Sequence, residues 1–294
     1  MRAIAGDGLA KGKIDTQTVG LDTGLAFARW LTGKEHLHYG FWTGLEPIAT
    51  NVGAAQTAYS DRLLALLPAS KGLRVLDIGG GAGETAKRLL AAGHQVEIVV
   101  PSAYLSARCR INAPMAVVHE CKFENLAVTG GFDVCLFSES FQYIPLPLSL
   151  KKAQTLLKAQ GEIVIGDCFR SQGFRRVGNR AIVGGGHLLQ SFRAALAAEP
   201  LDLVSEQDIT EAVAPSIDLE QALFNVIGIG LTGVGRELAV KRPWQNWMMH
   251  RLIRLVLKER GTERLSQRFF ENERNAEVFC HANRYLLLKI AKRG

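Results

Sequence analysis

The chain has 294 residues, of which 47% are hydrophobic and 21% are charged, and its formal net charge is +7. This composition is ordinary for a soluble globular protein, and the length allows one sizeable core with or without a helical annex. The five cysteines are scattered and never form a CxxC pair. They argue against a disulfide framework or a structural zinc site and suit a reducing cytosol.

The N-terminus lacks the apolar segment of a secretion signal. The longest apolar run, residues 222–235, is too short to span a bilayer. We therefore expect a cytoplasmic monomer or homodimer, without a transmembrane segment and with only weak peripheral membrane contact. We expect no metal site, because Glu35, His36 and His38 are not accompanied by spaced third and fourth ligands.

Short apolar strands alternate with helical stretches along the middle of the chain. The first strand, Val75–Ile78, leads into a glycine-rich loop and a helix, Glu84–Ala92. Further strands are predicted at 94–100, 116–120, 132–138, 161–167, 201–209 and 284–291, with another helix at 149–159. Val- and Ile-rich strands separated by helices predict a parallel sheet covered on both faces. The expected fold class is α/β: a Rossmann-like, doubly wound, mostly parallel seven-stranded sheet.

The loop in "VLDIGGGAG" places glycines at every second position, namely Gly79, Gly81 and Gly83. Such spacing indicates positive φ angles or a ligand that approaches the backbone closely. It also fits the dinucleotide fingerprint, which requires an acid at the end of the second strand to hold a ribose. That strand ends instead at Pro101 and Ser102, so a dinucleotide such as NAD is disfavoured.

Two stretches resemble class I S-adenosylmethionine-dependent methyltransferases. "VLDIGGGAG" resembles their first motif, and "LLKAQGEIVIGD" resembles the segment before their fifth strand. The resemblance covers roughly residues 36–210 and the final strand. It implies that S-adenosyl-L-methionine is the cofactor and that Asp77 and the three loop glycines contribute to its site.

The segment before the glycine loop narrows the resemblance. "HLHYGFW" (36–42) and "AAQTAYSDRLLALLP" (54–68) are similar to the N-terminal lid of methyltransferases related to cyclopropane fatty acid synthases and to small-molecule and prenyl methyltransferases. In those families an aromatic pair closes over the methionine end of the donor, which points here to Tyr39 and Trp42. A sulfonium cation next to aromatic faces is stabilised. The alternative is that these aromatic residues merely attach an N-terminal helix to the core.

The resemblance also assigns residues to the rest of the cofactor. Ser102 takes the place of the missing ribose acid, because a hydroxyl and backbone N–H groups can still bind a ribose. Phe123 is expected to stack on the adenine beside Lys122, although many relatives have an acid where Lys122 stands. Ser138, at the end of the fourth strand, completes the predicted cofactor residues.

The segment "SESFQYIP" (138–145) carries the expected chemistry. Methyl transfer is an in-line displacement in which positioning and desolvation supply most of the rate. Glu139 is the acid in the right place to act as a base or to stabilise a carbocation, and Gln142 and Tyr143 follow on a helical turn that could orient the acceptor. The competing interpretation is that Glu139 caps a helix.

We therefore expect a methyltransferase for a small, hydrophobic or amphipathic metabolite. The alternatives are a carbocation-type C-methyltransferase or a cyclopropanation-like enzyme acting on a prenyl or unsaturated acyl chain, and an RNA-modifying or non-catalytic binding protein that uses the basic C-terminal region. From Arg236 onward that region holds fourteen Lys and Arg against six Asp and Glu. Such a surplus attracts nucleic acid, anionic lipid or an acidic substrate, or lies on a solvated helix face. No nucleic-acid partner is expected.

The predicted organisation has four segments. A helical N-terminal lid segment (1–70) precedes the Rossmann-like cofactor-binding core (71–210). A helical insertion (211–283) is expected to cover the acceptor site, and residues 284–294 supply the final strand of the sheet.

Overall fold

The structure, a computed structural model, describes residues 16–172, 183–248, 251–252, 269 and 274–293. One seven-stranded sheet organises this part of the chain, with the strand order β3-β2-β1-β4-β5-β7-β6. The strands are β1 (Arg74–Ile78), β2 (Gln95–Val99), β3 (Val117–His119), β4 (Phe132–Ser138), β5 (Leu157–Arg170), β6 (Leu201–Asp208) and β7 (Asn283–Lys292). The first five pair in parallel, whereas β7 runs antiparallel to both β5 and β6. The predicted fold class is confirmed.

Helices cover both faces of the sheet. They are α1 (Thr16–Thr32), α2 (Val52–Leu64), α3 (Glu84–Ala91), α4 (Ala103–Asn112), α5 (Leu146–Leu156), α6 (Leu189–Ala197), α7 (Thr210–Val213), α8 (Pro215–Lys241) and α9 (Ala276–Ala282). Three short 3-10 turns are also present, at Ala49–Asn51, Phe123–Asn125 and Phe141–Tyr143.

The core has two layers because successive strand residues point to opposite faces. On β4, Val134 and Leu136 belong to one apolar cluster, and Cys135 and Phe137 belong to the other. Burial on both faces explains why the central strands read as continuous apolar runs in the sequence.

The fourth crossover differs from the sequence expectation, which placed a helix at 149–159 and a strand at 161–167. The helix begins earlier, just after Pro145, and ends at Leu156; β5 then extends to Arg170. The pairing of β5 with β4 shifts register between Phe132 and Val134, so the start of β5 is bulged and takes in residues that a periodic pattern assigns to a helix.

The described part of the predicted 211–283 insertion consists of α7, α8, a short helical stretch after them and α9; the remainder lies outside the described residues. By length and composition, the helical run Thr210–Lys241 could cross a membrane, since the mean hydropathy of its most apolar 18-residue window is 1.3. Only 6% of its most apolar window is buried inside the protein. The apolar run 222–235 of the sequence is the uncharged middle of this longer helical run.

Candidate active site

A cavity of about 620 Å³ opens at the carboxyl ends of β1, β2 and β4, beside the 3-10 turn Phe123–Asn125. It lies where the strand order reverses between β1 and β4, which is the position of ligand crevices in doubly wound sheets. Eight of the thirteen predicted site residues line it: Gly79, Gly81, Ser102, Lys122, Phe123, Ser138, Glu139 and Tyr143. Five lie outside this lining: Tyr39, Trp42, Asp77, Gly83 and Gln142.

The glycine loop forms one wall of the cavity through its backbone. Gly79, Gly81 and Gly83 all have positive φ, at 74°, 55° and 89°, a region that residues with a Cβ seldom adopt. Gly80 is required for a different reason. A Cβ at that position would lie 2.5 Å from Oδ2 of Asp77 and 2.8 Å from Cγ2 of Ile98.

Asp77 lies directly beneath this loop rather than in the cavity wall. Its side chain is fully buried, and neither carboxylate oxygen has a hydrogen-bond partner in the described part of the chain. Burial raises the pKa of this carboxyl to about 7. The site therefore has two features: a loop backbone without side chains, and beneath it an acid with no hydrogen-bond partner in the described part of the chain. Both features fit the sulfonium cofactor that the sequence predicts.

The second strand supplies no free acid to the cavity. Glu97 accepts hydrogen bonds from Arg74 at 2.7 Å and from His119 at 2.8 Å, so it is engaged within the sheet. Ser102 lines the cavity and also caps α4, with its Oγ accepting a hydrogen bond from the backbone N–H of Leu105 at 3.3 Å. Backbone groups and a hydroxyl therefore stand where a ribose carboxylate is usual.

The predicted adenine region follows β3. Phe123 is 3% exposed and packs edge-on against Phe137, with ring centroids 5.9 Å apart. The Lys152 ammonium lies 5.4 Å from the centroid of the Phe123 ring. The exposed Lys122 and its neighbour Glu124 also line the cavity. Adenine stacking on Phe123 stays a prediction.

The predicted lid aromatics attach the N-terminal segment to the fold. Trp42 is 4% exposed, and its indole N–H donates to Oγ of Ser216 at 2.8 Å. The same oxygen accepts the backbone N–H of Gly40 at 3.1 Å. The ring of Tyr39 packs edge-on against Phe279 at 6.1 Å. The structure therefore brings both aromatic residues to α8 and α9, and their contact with the cofactor stays a prediction.

Two histidines of the same segment line the cavity, and both are neutral. Burial lowers the pKa of His36 to about 4 and that of His38 to about 3. Because Nδ1 of His38 faces the carbonyl of Tyr39 at 2.9 Å, we assign the proton to that nitrogen. Its Nε2 then accepts from Nδ1 of His36 or from Oγ of Ser60, each at 3.1 Å.

Glu139 is the carboxyl that faces the cavity at the end of β4. Its φ of 53° is the only positive value among the described non-glycine residues, and strained backbone of this kind persists where the surrounding structure enforces it. Oε1 accepts the backbone N–H of Tyr39 and the hydroxyl of Tyr285, both at 2.7 Å. Oε2 has no hydrogen-bond partner among the described residues, so it is the oxygen left for a ligand.

Desolvation raises the pKa of Glu139 to about 8, against the opposing effect of the Tyr39 and Tyr285 hydrogen bonds. Tyr285 continues this contact inward, because its hydroxyl lies 2.9 Å from that of Tyr59. A buried chain of two tyrosines therefore supports a carboxyl whose pKa lies near the physiological range, as is typical of acid–base groups.

The capping interpretation of Glu139 is not supported, because a different acid bonds to the following turn. Asp167, on β5, accepts the backbone N–H of Gln142 at 3.1 Å and that of Cys168 at 2.7 Å. The side chain of Gln142 lies toward Gly185 and not toward the cavity. Tyr143 does line the cavity and is 64% exposed.

Sequence reasoning passed over a buried ion pair at the edge of the cavity. Glu35 accepts hydrogen bonds from Arg108 at 2.5 Å and 2.9 Å and from Asn112 at 2.7 Å. Burial raises the pKa of Glu35, but these bonds outweigh it and leave the pKa lowered. Asn112 also donates to the carbonyl of Ala82 in the glycine loop at 2.9 Å. No local sequence pattern predicts this link, because Glu35 lies more than seventy residues before Arg108 and Asn112 in the chain.

Comparison with known proteins agrees with this geometry. Residues 53–214, more than half of the chain, match the family model described as a methyltransferase domain. A curated relative, the 27-O-demethylrifamycin SV methyltransferase of Amycolatopsis mediterranei, is 26% identical over 206 residues, which cover 62% of this chain and 72% of the relative.

Solved structures share the fold across nearly the whole chain. A mycolic acid cyclopropane synthase complexed with SAH and CTAB superposes with a TM-score of 0.66 at 14% identity, covering 96% of this chain and all of the other. The geranyl diphosphate C-methyltransferase of Streptomyces coelicolor gives 0.61 at 14% identity, covering 92% and 97%. The match to the family model extends over the glycine loop, β4 and α7. The chain belongs to the methyltransferase-domain family, and it is an S-adenosylmethionine-dependent methyltransferase.

Proposed function

We propose that this methyltransferase acts on a hydroxyl group of a small, uncharged, apolar or amphipathic metabolite, with Glu139 as the proton acceptor. The observation that carries the proposal is that Glu139 lines the cavity while two donors hold its Oε1, which leaves Oε2 without a donor among the described residues. The cofactor supplies a methyl group attached to a sulfonium sulfur. Every other requirement, namely positioning, exclusion of water and removal of a proton, falls to the residues of the chain.

The charge of the cavity wall supports an uncharged acceptor. Its carboxyl-bearing lining residues are Glu35, Glu84, Glu124 and Glu139, and the lining contains one lysine, Lys122, and no arginine. A nucleic-acid backbone or another multiply charged anion requires cations at its phosphates. The described lining offers such an acceptor a single cation, Lys122, near the carboxyls of Glu84 and Glu124, which also disfavours the RNA-modifying alternative.

An oxygen nucleophile fits the Glu139 carboxyl well. As a hydroxyl attacks the methyl group it loses its proton, and an acceptor whose pKa is near the working pH is suited to taking it. The curated relative is named for an O-demethylated acceptor, 27-O-demethylrifamycin SV, which supports the same atom.

A second candidate is methylation of a prenyl or acyl double bond. Here the same free oxygen would stabilise an electron-deficient carbon and then take its proton. The wall beside Glu139 favours it, because Ile144 and Tyr143 offer apolar and aromatic surface to a hydrocarbon chain.

The test uses the purified full chain with S-adenosylmethionine that carries a deuterium-labelled methyl group. Two acceptor panels are compared by mass spectrometry: phenolic and alcoholic polyketide-like compounds, and prenyl or unsaturated acyl compounds without a hydroxyl. We expect the label in the hydroxyl panel, as an ether whose formation depends on Glu139. Label found only on carbon of the second panel would replace the first candidate by the second.

A further inference from the structure

The C-terminal two thirds of α8 project from the fold as an apolar surface. The first turns are anchored, because Ile217 is fully buried and Gln221 is 5% exposed. From Val226 onward, by contrast, large apolar side chains face outward. They include Val226, Ile229, Leu231, Val234 and Val240, and Ile229 is 72% exposed. We call these five side chains the α8 face.

The α8 face has the length of an interfacial helix. No charged residue occurs between Glu220 and Arg236, and at 1.5 Å per residue this stretch is roughly 22 Å long. That is shorter than a hydrocarbon core of about 30 Å. An apolar stretch too short for the hydrocarbon core lies along a membrane interface more readily than it crosses the bilayer.

The end of the α8 face carries the residues that membrane interfaces favour. Lys241 and Arg242 are exposed, and the side chains of Trp244 and Trp247 are 64% and 60% exposed. The guanidinium of Arg251 lies 5.0 Å from the Trp247 ring. Tryptophan resides at the headgroup level, and basic side chains beside it are attracted to anionic lipid.

These charges favour a membrane over a second copy of the chain. In a two-fold dimer the same patch meets itself, so parallel α8 helices would bring Lys241 and Arg242 of the two copies together. Antiparallel helices would bring these cations to the first turns of the partner's α8, where the carboxyls of Asp218 and Glu220 already bond Ala276 and Arg274. An anionic bilayer instead offers apolar tails to the α8 face and negative headgroups to Lys241 and Arg242. Large exposed apolar patches mark interaction sites of one of these two kinds.

We propose that α8 docks this enzyme on an anionic phospholipid surface. The helix that docks also holds the N-terminal segment beside the cavity, because Ser216 near its start bonds Gly40 and Trp42. The inference concerns binding to a lipid surface and stands whether or not the acceptor proposed above is the right one.

The experiment measures co-sedimentation of the full chain with vesicles of phosphatidylcholine that contain phosphatidylglycerol or lack it. We expect binding to the anionic vesicles, at least about tenfold weaker in high salt because surface charges are then screened. The double variant Val226→Asp/Ile229→Asp should lose binding by a similar factor. The charge-reversal variant Lys241→Glu/Arg242→Glu should lose it for anionic vesicles in particular.

A matched control places the same charges on an exposed apolar pair elsewhere, with Ile111→Asp/Met115→Asp near α4, whose side chains are 63% and 82% exposed. This control should bind as the wild type does, and circular dichroism should find all variants folded. Absence of wild-type binding to anionic vesicles overturns the proposal, as does equal loss in the control. A change of oligomeric state in the α8 variant without any vesicle binding would assign the α8 face to a second copy instead.

Discussion

At the residue scale, the carboxyl of Glu139 decides whether the enzyme uses acid–base chemistry. Glu139→Gln keeps the size of the side chain and removes the charge. We expect turnover to fall by about 10²-fold or more, the usual magnitude for one positioned proton acceptor. Titration calorimetry should give an unchanged affinity for S-adenosylhomocysteine. Turnover at the wild-type level would leave positioning and desolvation as the whole mechanism.

The hydroxyl of Tyr285 should influence the pKa of Glu139, because it donates a hydrogen bond to Oε1 of that carboxyl. A hydrogen bond to the ionised form lowers a carboxyl pKa, so Tyr285→Phe should raise the pKa of Glu139 further. If Glu139 must be ionised to accept a proton, kcat/KM rises with pH through about 8 in the wild type. In the variant this rise should move to higher pH.

The matched control is Tyr59→Phe, which removes a hydroxyl one step further from the carboxyl. It should leave the pH profile nearly in place. A uniform loss of rate in Tyr285→Phe, with no movement of the profile, would assign Tyr285 a packing role only.

At the element scale, the structure of the glycine loop predicts that Gly80 is required for cofactor binding, which the spacing of the glycines in the sequence does not predict. Gly80→Ala would force the new Cβ against the Asp77 carboxyl and Ile98. We therefore expect at least about tenfold weaker binding of S-adenosylhomocysteine. Gly93→Ala is the control, since Gly93 has a φ of 86° and open space around it. It should cost about 1 kcal/mol of stability through backbone strain and leave the affinity unchanged. Equal affinities in the two variants would contradict the loop geometry.

The N-terminal segment, residues 33–48, should open less often when the cofactor site is filled. Hydrogen exchange over residues 33–48 is expected to slow on addition of S-adenosylhomocysteine. Ser216→Ala removes the acceptor shared by Gly40 and Trp42, and buried donors without a partner cost about 1–3 kcal/mol. Exchange in this segment should therefore be faster in that variant.

Thr232→Ala, on the same helix, serves as the control because its hydroxyl, within the described part of the chain, bonds only the carbonyl of Gly228 one turn earlier. Unchanged exchange on cofactor addition would mean that the segment is a static part of the scaffold.

The elements show which features could be predicted from the sequence and which could not. Strands such as Phe132–Ser138 were predicted to the residue because a strand buried on both faces leaves a continuous apolar run between turn residues. The bulged start of β5 was not, since it depends on its partner β4. Gly80 was passed over because its constraint comes from the side chain beneath it. Tyr285 could not be paired with Glu139 because 146 residues separate them.

At the scale of the whole molecule, the buried ionisable groups set how stability depends on pH. The pKa values of Asp77 and Asp167 are raised by burial to about 7, and that of Glu139 to about 8. A carboxyl whose pKa is higher in the folded state contributes stability that is present at low pH and is lost as the pH rises through the folded value. The neutral His36 and His38 act in the opposite direction, since protonation in the unfolded chain disfavours folding below about pH 6.5.

The effects of these carboxyls and histidines on the free energy of unfolding oppose each other between about pH 4 and 6.5. Of these groups, only the carboxyls still change it above that range. We therefore expect the melting temperature of the ligand-free enzyme to fall between about pH 6.5 and 8.5.

Asp77→Asn should make this decline shallower, because it removes one buried ionisation and breaks no hydrogen bond of the described chain. Asp202→Asn is the control, since Arg293 lowers the pKa of that exposed carboxyl, whose contribution is lost only in acid. Thermal unfolding at a series of pH values measures all three proteins. An equal slope for Asp77→Asn and the wild type would mean that the pKa of Asp77 is not raised in the folded protein. A melting temperature that stays level or rises over this interval would mean that all three carboxyls are ionised without penalty in the folded protein. The basis for treating Glu139 as a tuned proton acceptor would then be lost.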